Sequence, residues 1–391
     1  MSNAVLPVYG PSPVVFERGE GVRMYDDKGK AYLDFIAGIA VNSLGHCHPA
    51  LVNALTTQAN KLWHTSNMFR VPGQERLAQR YVDLTFADFA FFTNSGAESI
   101  EGCIKIARRY HWSKGQLDRI GILSFEGSFH GRTLGGINAG AQEKYREGFG
   151  PRLPGFRSIP WEDVEALNAE IVKADLAAVI IEPVQGEGGI RPVPDQCLKG
   201  LRDLCDSTGT LLIFDEVQCG MGRTGKLFAH EWAGIFPDIM MVAKGIGGGF
   251  PLGALLATER AALGMTAGAH GSTYGGNPLA CAVGSAVLNI IAEGSFLSEV
   301  NRKAALFRQG LESLVASHPK VFEEVRGAGL MLGLKCRAPN TDIVKAGYDE
   351  HLLTVPAADN VIRLLPALNI PDADITESLA RLDRAATRIT L

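Results

Sequence analysis

A carboxylate and an amine each follow a short apolar run in the middle of the chain. Asp215 ends the run Leu211–Phe214, and Lys244 ends the run Ile239–Ala243 and precedes a glycine-rich segment. Continuous apolar runs of this length are typical of parallel strands that are covered on both faces. Ligands bind such sheets at the carboxyl ends of the strands, where we expect Asp215 and Lys244 to lie. The two charged residues therefore predict the floor of one pocket.

An amine and a carboxylate at the floor of one pocket can hold pyridoxal phosphate. The lysine can form a Schiff base with the aldehyde of the cofactor, and the acid can keep the ring nitrogen protonated, so that the ring acts as an electron sink. Either residue alone is more simply explained as a solvated lysine or a cap at a strand end, because charged side chains are mostly exposed. The pair, together with the segments described next, favours the cofactor site.

Small residues link another apolar run to a helical pattern. Phe89–Thr93 predicts a strand, and Ser95, Gly96 and Ala97 then precede apolar residues spaced as on one helix face. Backbone N–H groups at a helix start, with the helix dipole behind them, form a site for a phosphate group. An ordinary helix capped by Ser95 is the equally simple alternative.

Two further loops carry residues suited to a flat ring and to carboxylates. Phe129 and Arg132 follow an apolar run, and an aromatic ring can lie on a cofactor ring while an arginine can hold a carboxylate through two hydrogen bonds. Glu182 and Glu187 follow the apolar run at 176–181 in a glycine-rich loop, where a solvated carboxylate is the simpler interpretation of either acid.

The bulk numbers fit an enzyme of two or three domains, since the chain has 391 residues and a domain averages roughly 150. The net charge of −4 gives no sign of a nucleic-acid or membrane partner.

The seven cysteines are scattered, odd in number and without C-x-x-C, which favours reduced thiols. We expect no metal site at His46-Cys47-His48, because no further ligands cluster near it in the sequence. No signal-peptide pattern or run of roughly 20 apolar residues is visible, so we expect a cytoplasmic enzyme.

The ends of the chain differ from its middle. Residues 22–35 predict a β-hairpin around a turn at Asp26–Gly29. From about residue 293 a long amphipathic helix (Leu297–Ser317) precedes short strands near Leu330–Leu334 and Val361–Leu364. This pattern predicts a second, smaller domain of helices and strands.

In order and spacing, these segments together resemble the class III pyridoxal-phosphate-dependent aminotransferases of fold type I. The resemblance covers nearly the whole chain, and its motifs include GHCHP, LWHTSN, TNSGAES, FHGRT, EPVQGEGG, DEVQCGMGRTG, AKGIGGGFPLGA and HGSTYGGNPLA. It implies an α/β fold whose large cofactor-binding domain (51–285) holds a mostly parallel seven-stranded sheet between helices. The segment 1–50 would contribute to a small domain, completed by the α+β C-terminal part (286–391). Cys219 departs from the family's pattern, which often has threonine there.

The resemblance also assigns roles. The cofactor contacts that it implies are Lys244 as the Schiff-base lysine, Asp215 at the ring nitrogen, Gln218 at the phenolic oxygen, Phe129 on the ring, Ser95, Gly96 and Ala97 at the phosphate, Glu216 and Val217 beside them, and Thr273 at the phosphate of the other subunit. Such sharing requires a homodimer. The substrate contacts that it implies are Arg132 and the nearby Ser272 for one carboxylate, Arg363 for the α-carboxylate of glutamate or 2-oxoglutarate, and Glu187 as a mask over Arg363.

Within this family the resemblance implies transfer of the terminal amino group of N-acetylornithine to 2-oxoglutarate, giving N-acetylglutamate 5-semialdehyde and glutamate, a step of arginine biosynthesis. Aminotransferases of ornithine, succinylornithine, 4-aminobutyrate or N-succinyl-diaminopimelate share these motifs, and an aminomutase would keep the lysine, the acid and the phosphate loop. A dinucleotide-dependent dehydrogenase is disfavoured, because Lys244 directly precedes the glycines and no well-placed ribose-binding acid follows them.

Overall fold

The computed structural model of the chain describes residues 4–10 and 14–389. The strands are β1 (Phe16–Glu20), β2 (Arg23–Asp26), β3 (Ala31–Asp34), β4 (Phe89–Thr93), β5 (Gly121–Phe125), β6 (Phe156–Ile159), β7 (Leu176–Ile181), β8 (Val184–Gln185), β9 (Arg191–Pro192), β10 (Leu211–Asp215), β11 (Ile239–Val242), β12 (Gly253–Ala257), β13 (Phe322–Ala328), β14 (Met331–Cys336), β15 (Leu352–Leu353), β16 (Val355–Ala357) and β17 (Val361–Leu364). The helices are α1 (Ala37–Ala40), α2 (Pro49–Ala59), α3 (Pro72–Leu84), α4 (Gly96–Ser113), α5 (Leu134–Ala139), α6 (Val164–Ile171), α7 (Asp195–Thr208), α8 (His230–Ala233), α9 (Glu259–Ala262), α10 (Pro278–Ile291), α11 (Gly294–Ser317), α12 (Asn340–Asp349) and α13 (Asp372–Thr387).

A seven-stranded sheet in the order β4-β12-β11-β10-β7-β5-β6 forms the centre of the molecule. Strands β11, β10, β7, β5 and β6 pair in parallel, whereas β12 runs antiparallel to both of its neighbours. The prediction of a mostly parallel seven-stranded sheet is therefore confirmed.

The sheet is buried on both faces because its strands are apolar at successive positions. In β10, Leu212 and Phe214 join one core cluster, and Leu211 and Ile213 join another on the opposite face. Side chains alternate across a strand, so a run without polar residues needs cover on both sides. Helix α4 supplies that cover on one face, and helices α7 and α10 supply it on the other.

The helix starts follow from local side-chain chemistry. Pro49 occupies the first turn of α2, where its fixed φ suits the helix and its missing N–H costs no hydrogen bond. Asn277 caps α10, because its Oδ1 accepts a hydrogen bond from the Ala280 N–H at 2.9 Å. The predicted hairpin at 22–35 is confirmed as β2 paired antiparallel with β3.

Two smaller sheets flank the central one. The sheet β13-β14-β17-β16 is antiparallel and packs with α11, and the sheet β1-β2-β3-β15 joins the N-terminal strands to a C-terminal strand. These elements form the smaller α+β part of the fold. The pairing of β3 with β15 supports a shared small domain, but the boundaries at residues 50 and 285 stay a prediction.

His46 and His48 have structural partners. His46 Nε2 lies 2.7 Å from Asp34 Oδ2, and His48 Nδ1 accepts from the Ala50 N–H at 3.3 Å. Across residues 4–10 and 14–389, no three or more His, Cys, Asp or Glu side chains are grouped to hold a metal ion. Within the same ranges no single helix is long and apolar enough to cross a membrane, and one pair, α10 with α11, meets the length and composition only across a 69° bend.

Candidate active site

Asp215 and Lys244 lie at the carboxyl ends of adjacent strands. Strands β10 and β11 pair in parallel, with Asp215 opposite Met241, and Lys244 follows the end of β11. Both residues line a cavity of ≈400 Å³ at this edge of the sheet. The predicted pocket floor is thus present, at the place where ligands bind to sheets of this kind.

The cavity is bounded by the loops that follow strands β4, β5, β7, β10 and β11, by the segment before β12, and by Val41 directly after α1. Its lining residues are Val41, Asn94, Ser95, Gly96, Ala97, Phe129, His130, Gly131, Arg132, Glu182, Asp215, Val217, Gln218, Met241, Ala243, Lys244, Gly249, Phe250, Pro251 and Leu252.

The Lys244 amine is poised for chemistry. Its φ of +49° is in the left-handed region that non-glycine residues rarely adopt, and such strain concentrates at functional sites. In the part of the chain that the structure describes, its ammonium group makes no hydrogen bond or ion pair within the protein. Burial, and then the positive charge of Arg363, lowers the pKa of Lys244, which raises the fraction of neutral, nucleophilic amine.

Asp215 is held in one orientation by two hydrogen bonds. Its Oδ1 accepts from the Val217 N–H at 3.0 Å, and its Oδ2 accepts from His130 Nδ1 at 2.8 Å. Both side chains are buried, and His130 Nε2 has no hydrogen-bond partner among the described residues. The carboxylate is therefore fixed beside the cavity with a histidine behind it.

The start of α4 forms another wall of the cavity. Ser95 caps the helix, since its Oγ accepts from the Glu98 N–H at 3.2 Å. A Cβ on Gly96 would come within 3.1 Å of Val217 Cγ1, so the small residue lets the backbone approach that wall closely. The 18-residue helix behind these residues makes this wall favourable for an anion.

Glu182 is a buried carboxyl group of the cavity wall that joins two loops. Its Oε1 accepts from the Phe129 N–H, and its Oε2 accepts from the Gly186 N–H, each at 3.0 Å. Burial, and then the negative charge of Asp215, raises the pKa of Glu182 to about 7. Glu182 thereby positions both the aromatic residue Phe129 and the loop that carries Glu187.

Arg132 lies at the exposed mouth of the cavity. Its guanidinium carbon is 3.8 Å from the centre of the Tyr145 ring and 5.4 Å from that of Phe129. The two rings meet edge to face at 5.7 Å. Stacking of this kind restricts the guanidinium without using its N–H donors, which stay free for a carboxylate.

Arg363 and Glu187 form an ion pair next to the cavity. Arg363 Nη1 donates to Glu187 Oε1 at 2.6 Å and to Gln218 Oε1 at 3.4 Å, while Nη2 donates to the Pro356 carbonyl oxygen at 3.2 Å. Arg363 is buried, and its Nε has no hydrogen-bond partner among the described residues. Through Gln218 the pair contacts a residue of the cavity lining.

Three of the predicted site residues lie elsewhere in this chain. Glu216 turns away from the cavity, and its carboxylate accepts from the Ala229 and His230 N–H groups at 2.7 and 2.8 Å. Ser272 Oγ accepts from the Gly275 N–H at 2.9 Å, and Thr273 is exposed. The predicted cofactor contact of Glu216 is therefore wrong, because adjacent residues at a strand end point in opposite directions and Asp215 is the one that faces the cavity.

His130, Tyr145 and the role of Glu182 were missed in the sequence. His130 follows Phe129 in a loop that had been singled out, but only the strand order brings that loop beside β10. Glu182 stood directly after a buried strand, the same signal that identified Asp215, and could have been chosen on that ground. Tyr145 carries no such signal in the sequence.

Comparison with known proteins agrees with this geometry. Residues 6–386 match the family Aminotransferase class-III. The chain is 60% identical over 384 residues to "Acetylornithine aminotransferase" of Mesorhizobium japonicum, covering 98% of this chain and 96% of the relative. It is 59% identical over 389 residues to the protein of the same name from Rhodobacter capsulatus, covering 100% and 99%.

Two solved structures are similar over almost the whole chain. The ornithine aminotransferase from Toxoplasma gondii has a TM-score of 0.94 at 31% identity, with 98% of this chain and 92% of that chain covered. The N-acetylornithine aminotransferase from Stenotrophomonas maltophilia has a TM-score of 0.85 at 41% identity, with 96% of both chains covered. With the family match spanning nearly all residues, the chain belongs to the class-III aminotransferases.

Proposed function

We propose that this protein is a pyridoxal-phosphate-dependent aminotransferase that moves the terminal amino group of N-acetylornithine to 2-oxoglutarate. The observation that carries the proposal is the unpaired amine of Lys244 beside the fixed carboxylate of Asp215, in one cavity with the start of α4. The relatives at 55–60% identity named "Acetylornithine aminotransferase" support the choice of substrate.

The residues present fit the cofactor. A cavity of ≈400 Å³ has room for a small organic ligand, and it offers an amine, an acid and a helix start on different walls. Lys244 would bind the aldehyde carbon, Asp215 the ring nitrogen, Gln218 the phenolic oxygen, and residues 95–97 the phosphate. Bound there, the cofactor would supply an electron sink for charge that develops on the substrate carbon.

The protein's own groups would handle protons and charge. The lowered pKa of Lys244 makes its amine a competent base for the proton on the substrate carbon. Asp215, fixed by Val217 and His130, would hold a negative charge where a positive ring nitrogen needs it. Phe129, held through Glu182, would stack on one face of the cofactor ring and exclude water from that face.

Two arginines would sort the two substrates. Arg132 would bind the carboxylate of N-acetylornithine. This contact would place the terminal amine of the substrate beside Lys244, at the aldehyde carbon of the cofactor. Arg363 would bind the near carboxylate of glutamate or 2-oxoglutarate once Glu187 moves away, and the ion pair at 2.6 Å would mask it otherwise. Two substrates of different length could thereby react at the same atom.

We also propose a homodimer with shared active sites, in which Thr273 reaches the phosphate site of the other subunit. Thr273 lies outside this chain's own cavity, in a loop bordered by exposed apolar side chains: Trp63, Met68, Phe69 and Tyr274. Asn67 joins the loop that carries Trp63, Met68 and Phe69 to the loop that carries Thr273, because its Nδ2 donates to the Ser272 and Gly275 carbonyl oxygens at 3.0 and 3.1 Å. An apolar patch around a site residue supports cover by a second copy.

A cytoplasmic location belongs to the same proposal. All seven cysteines are free thiols, as expected for a protein kept in a reducing compartment.

The deciding experiment is a half-reaction panel on the purified holoenzyme. Each amine is mixed with enzyme without an acceptor, the cofactor's absorption is followed, and 2-oxoglutarate is then added to restore the starting spectrum. We expect N-acetylornithine to react with a kcat/KM at least about tenfold above that of ornithine, succinylornithine or 4-aminobutyrate. A spectrum unchanged by every amine would reject transamination.

Ornithine is the second candidate substrate, because the ornithine aminotransferase from Toxoplasma gondii has the higher TM-score of the two structures above. A preference for ornithine in the same panel would select it. An aminomutase would turn over without any 2-oxoglutarate, which the panel also measures.

A further inference from the structure

A second cavity lies behind the hairpin β8–β9, away from the candidate active site. It measures ≈490 Å³ and is enclosed by this hairpin, the loop at 224–232, helix α11 and the end of β13. Val184, Leu198 and Ala304 supply apolar wall, and Trp232 lies among its lining residues. Its size is within the range of cavities that hold small organic ligands.

A buried hydroxyl group without a partner faces this cavity. Thr224 is 1% exposed and lines the cavity, and its Oγ1 has no hydrogen-bond partner in the described part of the chain. Buried hydroxyl groups are almost always hydrogen-bonded. An unpaired one on a cavity wall therefore points to a polar ligand atom.

The charged residues that line the cavity are Arg308 and Asp195. Arg308 lines it, with Nη2 donating to the Gly327 carbonyl oxygen at 2.6 Å and with Glu312, on the same helix and largely exposed, 3.9 Å from Nη1. Lys226 Nζ lies 5.1 Å from the centre of the Trp232 ring. The guanidinium is thus positioned by a backbone carbonyl, and its ion pair with the largely exposed Glu312 is weak enough to leave it available to a ligand.

One acid, Asp195, also lines the cavity. It is exposed and lies in the first turn of α7, a 14-residue helix whose N-terminal partial charge offsets a carboxylate. Asp195 therefore leaves the Arg308 guanidinium as the lining group that can bind a ligand carboxylate.

We propose that this cavity is a second ligand site, which takes a small organic carboxylate with an apolar body. The carboxylate would bind the Arg308 guanidinium and the Thr224 hydroxyl, and the apolar part would lie against Val184, Ala304 and Trp232. The site goes beyond the proposed transamination. The two cavities have no lining residue in common, although Glu182 of the first directly precedes Pro183 and Val184 of the second.

The test uses hexanoate as the probe and hexylammonium as its charge-reversed partner, on the holoenzyme saturated with 2-oxoglutarate so that Arg363 is occupied. Binding is followed by tryptophan fluorescence, since Trp232 lines the cavity. We expect a saturable change with hexanoate that is absent in Trp232→Phe, and none with hexylammonium.

Matched variants locate the carboxylate. We expect Arg308→Gln to weaken hexanoate binding about tenfold and Thr224→Val to weaken it about threefold, as lost charged and neutral hydrogen bonds do. Arg302→Gln, on the same helix but outside the cavity lining, should bind as the parent does. All variants should keep their half-reaction with the preferred amine, which separates this proposal from that of the transamination.

The proposal is overturned if hexanoate gives no saturable change up to about 50 mM, which corresponds to negligible affinity. It is also overturned if hexylammonium binds as well as hexanoate, if the change persists in Trp232→Phe, or if Arg308→Gln binds like Arg302→Gln. Because the Arg308 side chain is partly exposed, Arg308→Gln is expected to fold even if Thr224→Val does not.

Discussion

Two neighbouring carboxylates, Asp215 and Glu216, belong to two very different regions. Glu216 faces a closed cluster in which one oxygen accepts from the His230 N–H at 2.8 Å and from His230 Nδ1 at 2.9 Å, and the other accepts from the Ala229 N–H at 2.7 Å. Asp215 faces the cavity, which is also lined by Lys244 and by His130, whose Nε2 has no hydrogen-bond partner among the described residues. Arg363, next to the cavity, has an Nε that is likewise unpaired among those residues.

The difference shows what each cluster is for. A buried polar group is costly unless its hydrogen bonds are made, so a fully paired cluster such as that around Glu216 serves stability. Groups left unpaired around Lys244 cost stability in this state and are available to a ligand. The same functional group, a carboxylate, thus stabilises the fold on one side of the backbone and serves the site on the other side, one position away in the sequence.

The largest effect that would test this contrast is expected for Lys244→Ala. Loss of the amine should lower kcat about a thousandfold or more, because it removes both the cofactor attachment and the base. Steady-state assays and the absorption spectrum of the purified variant measure this. Lys199→Ala, on the exposed surface of α7, is the control. A Lys244→Ala enzyme with ordinary turnover would remove the assignment.

The pair Asp215→Asn and Glu216→Gln addresses the contrast directly. We expect Asp215→Asn to lower kcat about a hundredfold with little change in thermal stability, since it removes a charge at the reacting centre. Glu216→Gln should lower the free energy of unfolding by about 1–3 kcal/mol, because an amide cannot accept at both oxygens, and should leave kcat within about twofold. The reverse pattern in kinetics and urea unfolding would refute the division.

Arg132→Ala and Arg363→Ala should separate the two half-reactions. Each loses a charged contact to one carboxylate, so we expect an increase in KM of about 10- to 100-fold for one substrate only. Arg132→Ala should affect N-acetylornithine, and Arg363→Ala should affect 2-oxoglutarate and glutamate. Equal increases for both substrates in either variant would contradict the separate roles.

The raised pKa of Glu182 predicts a pH dependence of stability. Because the pKa of Glu182 is raised to about 7 in the folded protein, the folded state holds a proton that the unfolded state releases at lower pH. Stability therefore falls as pH rises from about 4.5 to 7, by up to about 3 kcal/mol.

Glu182→Gln cannot ionise, so the fall in its unfolding free energy between pH 5 and 8 should be smaller than in the parent. The measurement is urea unfolding across this range, and parallel slopes for Glu182→Gln and the parent would exclude the proposed titration.

The smallest effect is expected for Cys219, whose Sγ lies 3.6 Å from the Asp215 carbonyl oxygen and 3.7 Å from Glu216 Oε2. Burial raises the pKa of Cys219 well above its ordinary range, so the neutral thiol is unreactive. Cys219→Ala should keep kcat within about twofold and cost about 1 kcal/mol of stability as a small cavity. Alkylation of Cys219 in the folded enzyme by iodoacetamide would contradict its burial.

Much of the fold could be predicted because its signals are local. The buried strands β7, β10 and β11 were visible as apolar runs, and Pro49 and Asn277 are residue types that favour the helix starts found at α2 and α10. Strand β12 was not predicted from its own residues, because the segment GALLA lacks β-branched and aromatic side chains and its reversed direction depends on its partners β11 and β4. The order of strands is a long-range property that spacing along the chain does not encode.

The residues of the candidate site likewise fall into those that could be predicted from the sequence and those that only the fold brings together. The sequence by itself determined that Lys244 and Asp215 end buried strands and that small residues precede α4, because periodicity and residue type act within a few positions. Only the tertiary structure decided that His130 supports Asp215, that Glu182 joins two loops, and that Glu216 faces the closed cluster around Ala229 and His230. These relations depend on which strands are neighbours and on which side of the backbone a side chain leaves, and both are fixed when the core closes.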